Sequence, residues 1–507
     1  MIRQVSGALF DADSRPRIYP EDLRLTRSWV QLAGRVQFAW LVAVCLVWSI
    51  SLAFHPLDPG YTAGELLDHL QGWMETGKLY PSIESDGTLR VLNYPPMVLV
   101  LARFLAVLGI PPLLAGRLVN GIGVMLVLGV IGWWTQARGS DTAVSIGTLG
   151  LLGASVPFVY GTGQFRIEMW AVLGTVMAWA LVDRGKTGRA VFWAGILLAM
   201  SCFAKQTQVV PSLVVFVWTW KYRPTALRSV LVGYLGAGIS GFAAITFMWG
   251  LEPWRHIVMY TTGTYSMMNL GWQFLSHVGP WVPLFALAAY SVLRGRPGAR
   301  SDPVWWYWCG ALAWSFSAAR SGSASAYFLD LHLATVMLVG PVLFGAGRLH
   351  PGADQAALKV PKTRCRRLLP WILAVQVVGA DMGVATVAWI NLSRVSDLSG
   401  ELTSICSEFP RSGPALVEEA GIARACGHPA LLHPFIMTSL SRRGLWNATD
   451  FETALSAGEF GTALIDFDPK QPVTGVHLDR WTGPVLNAFR AAPTQTAYPG
   501  GVWAVSW

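Results

Sequence analysis

Charge is what this chain has least of. Of its 507 residues only 13% are charged and 53% are hydrophobic, against about 25% charged in an ordinary soluble protein. That balance excludes a water-surrounded globule and indicates a polytopic membrane protein. Cysteine is scarce too, with six residues in no CxxC array, so no metal or redox signature is present. Residues 1–30 lack a short apolar core followed by a small-residue cleavage site, so the first apolar run reads as an uncleaved signal anchor. No internal repeat of the kind many secondary transporters carry is visible. The excess charge of +9 fits cytoplasmic loops under the positive-inside rule better than a nucleic-acid surface.

Apolar runs near the ~20 residues that cross a bilayer occur at about 36–54, 113–134, 143–161, 168–182, 190–204, 206–220, 229–250, 280–293, 304–319, 328–346 and 371–391. The stretch from Pro95 to Ile110 is also apolar, but it is short, opens with two prolines and carries Arg103 at its middle. A charge at the centre of a span costs about 2.5 to 3.5 kcal/mol, so this stretch reads as a helix lying at the interface. With it excluded and the N-terminus inside, the basic loops 183–189, 221–228, 294–300 and 359–367 all fall on the cytoplasmic side.

The expected architecture is an α-helical polytopic membrane protein of about eleven transmembrane helices over residues 1–391, with an extracytoplasmic loop at 55–112. A small extracytoplasmic α/β domain follows at 392–507. In that tail, "PALVEEAGIARA", "MTSLSRRGLW" and "FETALSAGEF" suggest short helices, while "GTALIDFD" and "GVWAVSW" suggest strands. Cys406 and Cys426 lie there; in an oxidising compartment they form either a disulfide or a pair of buried thiols. Asp381, in the middle of the last run, needs a partner such as Gln376 or else a functional role.

The segment "LDPGYTAGELLDHLQGWMETGKLYPSIESDGTLRVLNYPPM" resembles the first extracytoplasmic loop of GT-C glycosyltransferases, polytopic enzymes that use polyprenyl-phosphate sugars. Three further elements follow in the family's order: "RIEM" at 166–169, "FAKQTQVV" at 203–210 and "RSGSASAYFLDLH" at 320–332. The tail, with "HPFIMTSLSRRGLWNATDFETALSAGEF", is similar to the terminal domain of bacterial members.

The resemblance implies an inverting sugar transfer from a polyprenyl-phosphate donor to an extracytoplasmic glycan, lipid or protein acceptor, in a bacterial inner (plasma) membrane. No cofactor is implied with certainty, and a divalent cation is left open. In such a transfer a carboxylate takes the proton of the attacking hydroxyl, and cations near the membrane surface meet the leaving lipid phosphate.

For the base the resemblance points first to Glu65, with Asp58 and Asp68 as competitors; many relatives have Asp where this chain has Glu65. Glu168 is carried over as a second acid that orients acceptor or metal, and otherwise pairs with Arg166. The donor-phosphate candidates are Lys205, Arg166, Arg117, Arg255, Arg320 and Tyr327, with Asp330 entering through the same motif as Tyr327. Each cation has a plainer role as a headgroup anchor. The competing classes are a secondary transporter and a non-catalytic membrane subunit on the same scaffold.

Overall fold

The computed structural model describes residues 21–83, 89–261, 263–294, 301–320, 325–344, 365–409, 413–473 and 476–507. Glu84, Asp86, most of the basic loops 294–300 and 359–367, and residues 321–324 of the Gly-rich motif lie outside the described residues. The membrane part runs α1 (Glu21–Ala53), α2 (Tyr61–Thr76), α3 (Met97–Val107), α4 (Pro112–Ala137), α5 (Thr142–Gly150), α6 (Val156–Thr162), α7 (Glu168–Arg184) and α8 (Gly188–Ala204). It continues with α9 (Val209–Tyr222), α10 (Pro224–Trp249), the single turn α11 (Glu252–Trp254), α12 (Met267–His277), α13 (Val282–Arg294), α14 (Pro303–Ser315), α15 (Leu329–Phe344) and α16 (Cys365–Gly400).

Over the described residues ten of the eleven apolar runs each fall mainly on one helix, and the 143–161 run is divided between two. Among the described residues five helices are each long and apolar enough to cross a membrane, or seven if two bent pairs are single spans. One bent pair is the 143–161 run. It breaks by 86° between α5 with its 3₁₀ extension and α6, and Ser155 restarts the helix by accepting the Phe158 N–H.

The outward faces are those of a bilayer protein. On α10 Val230, Gly233 and Ile245 are buried, whereas Val232, Leu235, Ile239, Phe242 and Phe247 point away from the bundle. Water would penalise such a surface and lipid accepts it. Helix α8 meets α10 closely because both present glycine at the crossing. A Cβ on Gly195 would lie 2.1 Å from the Val230 carbonyl oxygen, and one on Gly233 would lie 2.2 Å from that of Phe192.

Two loop elements position the site. Helix α2 buries ten of its sixteen residues, Glu65, Asp68 and His69 among them, and ends in the left-handed Gly77. Helix α3 packs against it, and the Arg103 guanidinium lies over the Trp73 ring at 4.1 Å, which accommodates the charge on an otherwise apolar helix.

Beyond α16, which runs unbroken to Gly400, come α17 (Leu402–Ser407), α18 (Ala420–Ala425), α19 (Pro434–Arg442), α20 (Thr449–Ser456), α21 (Val476–Arg480) and α22 (Gly483–Ala491). They surround a four-stranded sheet of order β1-β2-β4-β3, with β1 (Leu416–Val417), β2 (Thr462–Ile465), β3 (Thr494–Ala497) and β4 (Trp503–Ser506). β1 pairs parallel to β2 in the register Leu416 to Ala463, and β4 runs antiparallel to both β2 and β3. "GTALIDFD" and "GVWAVSW" supply strands as expected. In "PALVEEAGIARA" the helix begins only at Ala420, and Leu416–Val417 before it is strand. Cys406 and Cys426 are joined in a disulfide. Asp381 accepts from Gln37 at 2.8 Å; Gln376, the partner expected from sequence, instead bonds Leu284 N–H and the Pro280 carbonyl.

Candidate active site

The sheet domain sits directly on α2. Gly64 and Gly421 meet so closely that a Cβ on Gly64 would lie 2.5 Å from the Gly421 nitrogen. The chain after Ile83 adds a second seam, with Leu89 N–H donating to the Leu431 carbonyl and His433 N–H to that of Leu89. Three loop acids at this junction meet different fates.

Asp58 is gripped by Arg117 of α4, with Nε at 2.9 Å and Nη2 at 2.8 Å, and accepts the Phe165 N–H at 2.8 Å. The same guanidinium also donates to the His55 and Leu57 carbonyls. Both residues are occupied in a buried pin that ties the loop to α4.

Asp68 receives Arg424 Nε at 2.5 Å, His433 Nε2 at 3.1 Å, Arg90 Nη1 at 3.4 Å and the Ala430 N–H at 3.3 Å. Burial alone would raise its pKa, but His433, Arg90 and Arg424 outweigh burial and hold the carboxyl well below the usual carboxylate range. Asp68 pins the sheet domain onto α2.

Glu65 is the exception. It is 6% exposed; its Oε1 has no hydrogen-bond partner, and His433 Nδ1 stands 3.8 Å away, also unpartnered. Tyr61 lies one helical turn before it on α2, and the Tyr61 hydroxyl accepts the Phe435 N–H at 3.1 Å. Burial drives its pKa up and His433, Tyr61 and Arg480 only partly offset this, leaving a value of about 7.

Beside this junction lies a cavity of about 610 Å³. Five residues expected from the sequence line it together: Arg166, Glu168, Lys205, Arg320 and Tyr327. Glu168 opens α7, and its oxygens stand 3.2 Å from Lys205 Nζ and 3.6 Å from Arg166 Nε. Lys205 reaches this point because the chain leaves helical geometry there, at φ −150° and ψ 116°, between α8 and the 3₁₀ turn Gln206–Gln208. Its ammonium lies 5.3 Å from the centre of the Tyr327 ring. Arg320 makes no ion pair with a described residue. Three cations thus face one carboxylate, an excess suited to a bound anion.

The remaining wall comes from the "VLNYPPMV" stretch. Asn93 and Tyr94 line the cavity; the Asn93 carbonyl accepts from Gln206 at 2.8 Å and the Tyr94 carbonyl from the Tyr80 hydroxyl at 2.8 Å. These bonds tie "GKLYP", "NYPP" and "KQTQ" into one frame, after which Pro95 and Pro96 turn the chain into α3. Arg117 is tied to Asp58, and Arg255 is half-exposed and paired with Glu252 at 2.6 Å; neither lines the cavity. Asp330 lies deeper, accepting from the Tyr307 hydroxyl at 2.7 Å and Gln208 at 3.2 Å. Glu65 does not itself line the cavity, whereas Thr62, three residues before it on α2, and Phe435 do. Among the described residues no cluster of His, Cys, Asp and Glu is arranged to hold a metal ion.

Tyr61, His433, Phe435 and Thr261 were not singled out from the sequence. His433 lies 365 residues from the Asp68 it bonds, and the only signal it offered was its place in "HPFIMTSL" of the tail.

Over 92% of its length the chain superposes on ArnT from Cupriavidus metallidurans bound to undecaprenyl phosphate, covering 97% of that chain at a TM-score of 0.60 and 16% identity. The chain has the GT-C fold. It also matches archaeal oligosaccharyltransferase AglB from Archaeoglobus fulgidus in complex with an inhibitory peptide and a dolichol-phosphate, with a TM-score of 0.51, 11% identity, and coverage of 92% of this chain and 74% of that one. Both neighbours are GT-C membrane glycosyltransferases. No protein-family model and no curated protein matches the sequence.

Proposed function

We propose that this protein is a membrane glycosyltransferase that moves a sugar from a polyprenyl-phosphate donor to an acceptor at the extracytoplasmic face, with inversion at the anomeric carbon. The observation that carries this reading is the cavity itself, where Arg166, Lys205 and Arg320 converge on one space in a GT-C fold. A lipid phosphate that departs as a dianion is stabilised by cations already in place, and Tyr327 and Tyr94 offer ring faces for a sugar. N-terminus inside and sheet domain outside, in a bacterial plasma membrane, is the orientation that keeps the basic loops cytoplasmic.

Glu65 is assigned the base. Of Asp58, Glu65, Asp68 and Glu168, it alone has a carboxylate oxygen without a partner, and a pKa of about 7 suits a group that must both take and release a proton near neutrality. Asp58 and Asp68 are occupied as pins, and Glu168 is held between Lys205 and Arg166. A donor cavity at one end of the bundle also distinguishes this reading from a transporter, whose site would sit near the midplane between repeated halves.

The experiment is transfer by the purified protein from a panel of undecaprenyl-phosphate-linked sugars. Glu65→Gln is expected to keep the fold and lower turnover by roughly 10²-fold or more. Turnover close to that of the unaltered protein would remove Glu65 from the role.

A further inference from the structure

The geometry points to His433 as the proton acceptor behind Glu65, in a buried line Glu65–His433–Asp68 in which Asp68 fixes the imidazole and the free ring nitrogen relieves Glu65 of the acceptor's proton. This rests on the transferase reading with Glu65 as base and adds a residue from the sheet domain to it.

Asp68 Oδ2 lies 3.1 Å from His433 Nε2. A carboxylate kept ionised by Arg90 and Arg424 only accepts, so Nε2 carries the hydrogen of that bond. The lone pair is then on Nδ1, which faces Glu65 Oε1 at 3.8 Å.

Both facing atoms are buried and without a partner. A buried polar group left unsatisfied costs about 1 to 3 kcal/mol, and a pair of them pointing at each other is accounted for by a proton that passes between them. The backbone on either side of the ring is held, with the His433 main-chain N–H donating to the Leu89 carbonyl and Pro434 following, and the His69 ring contacts the imidazole edge-on with centroids 4.9 Å apart.

The step balances as follows. The acceptor O–H bond breaks and its proton goes to the Glu65 carboxylate. The freed oxygen forms its bond to the anomeric carbon while the bond from that carbon to the lipid-phosphate oxygen breaks, and the phosphate leaves with the electron pair. Glu65 then passes the proton to Nδ1, regenerating the carboxylate and leaving an imidazolium between Glu65 and Asp68. At 3.8 Å the transfer needs a closing movement of about 1 Å or one bridging water.

The other polar groups around this line are Tyr61, Arg480 over the Tyr61 ring at 4.6 Å, His69, the two arginines on Asp68, and His256. His256 is held neutral, with Nδ1 accepting the Leu92 N–H and Nε2 donating to the Pro81 carbonyl. Among these groups only Glu65 and Asp68 carry the negative charge that an imidazolium requires.

A purely structural histidine would serve as well through its bond to Asp68 alone, and His433→Gln separates the two roles. The Gln amide reproduces the donor to Asp68 and has no titratable nitrogen toward Glu65. The measurement is pH-resolved infrared difference spectroscopy of the full-length protein in liposomes, following the carbonyl stretch of the protonated Glu65 carboxyl, with Glu65→Gln identifying the band. In His433→Gln the band is expected to persist to higher pH by about one unit, a tenfold gain in proton affinity, while binding of undecaprenyl phosphate stays unchanged. If the Gln variant does not fold, His433→Asn is read in the same way.

The infrared readout needs no sugar, so it stands apart from the transfer assay. Loss of transfer dependence on Glu65 would sink the base assignment. A Glu65 band that titrates at the same pH with and without the imidazole would overturn the relay alone.

Discussion

Glu65→Gln should make the protein less active and, at alkaline pH, more stable. The carboxyl is buried with one oxygen unpaired, and its pKa rises from 4.5 to about 7 on folding. Because the folded pKa is the higher one, the folded state holds a proton that the unfolded chain gives up above about pH 4.5. Stability from this group is therefore full below pH 4.5, falls as pH rises toward 7, and is flat beyond. At about 1.4 kcal/mol per unit, ionising Glu65 in place costs the fold about 3 kcal/mol.

Glutamine has the shape of the protonated acid and never ionises. Thermal melts of the full-length protein in detergent, wild type against Glu65→Gln across about pH 4 to 9, should coincide at the acid end, separate between about pH 4.5 and 7, and stay apart by a constant amount beyond, with the variant higher. A variant that melts lower at the alkaline end, or a difference that does not change with pH, would refute the assignment of a strained buried carboxylate. Stability gained with activity lost marks a group held for chemistry.

Asp68→Asn should behave in the opposite way, because it removes the one buried charge on which Arg424, Arg90 and His433 converge. A loss of about 3 to 5 kcal/mol is expected, with release of the sheet domain read as protease cleavage between residues 409 and 433. A cysteine placed at Ser456 should react with a membrane-impermeant thiol reagent in intact cells, and labelling only after lysis would put the sheet domain on the cytoplasmic side instead.

The bundle was legible because lipid-facing helices must be apolar throughout, and every apolar run but 143–161 falls mainly on one helix. Bends escaped notice: hydropathy is continuous across Ala154 and Ser155, where the chain turns by 86°. In the tail, β3 (Thr494–Ala497) has no hydrophobic alternation, and pairing with β4 alone makes it a strand.

The cavity's cations are legible because Arg166, Lys205 and Arg320 each lie in an element that resembles the GT-C family's, whereas Arg117 and Arg255, which position at the outer side alone suggests, do not line the cavity. Which loop acid stays unpaired was not legible, since Asp58, Glu65 and Asp68 look alike in sequence. Arg117, Arg424 and His433 decide between them, from 59 to 365 residues away. Long-range pairing of this kind leaves no periodic trace, which is why His433 drew no notice.

The affinity of the purified protein for undecaprenyl phosphate, with and without Lys205→Ala, bears most directly on the central claim. An ammonium facing phosphate in a partly dry site is worth about 1.5 to 3 kcal/mol. The account predicts that the unaltered protein binds the lipid and that Lys205→Ala weakens binding by roughly ten- to a hundred-fold. No binding by the unaltered protein, or equal binding by the variant, would contradict a donor-phosphate site in the cavity of Arg166, Lys205 and Arg320.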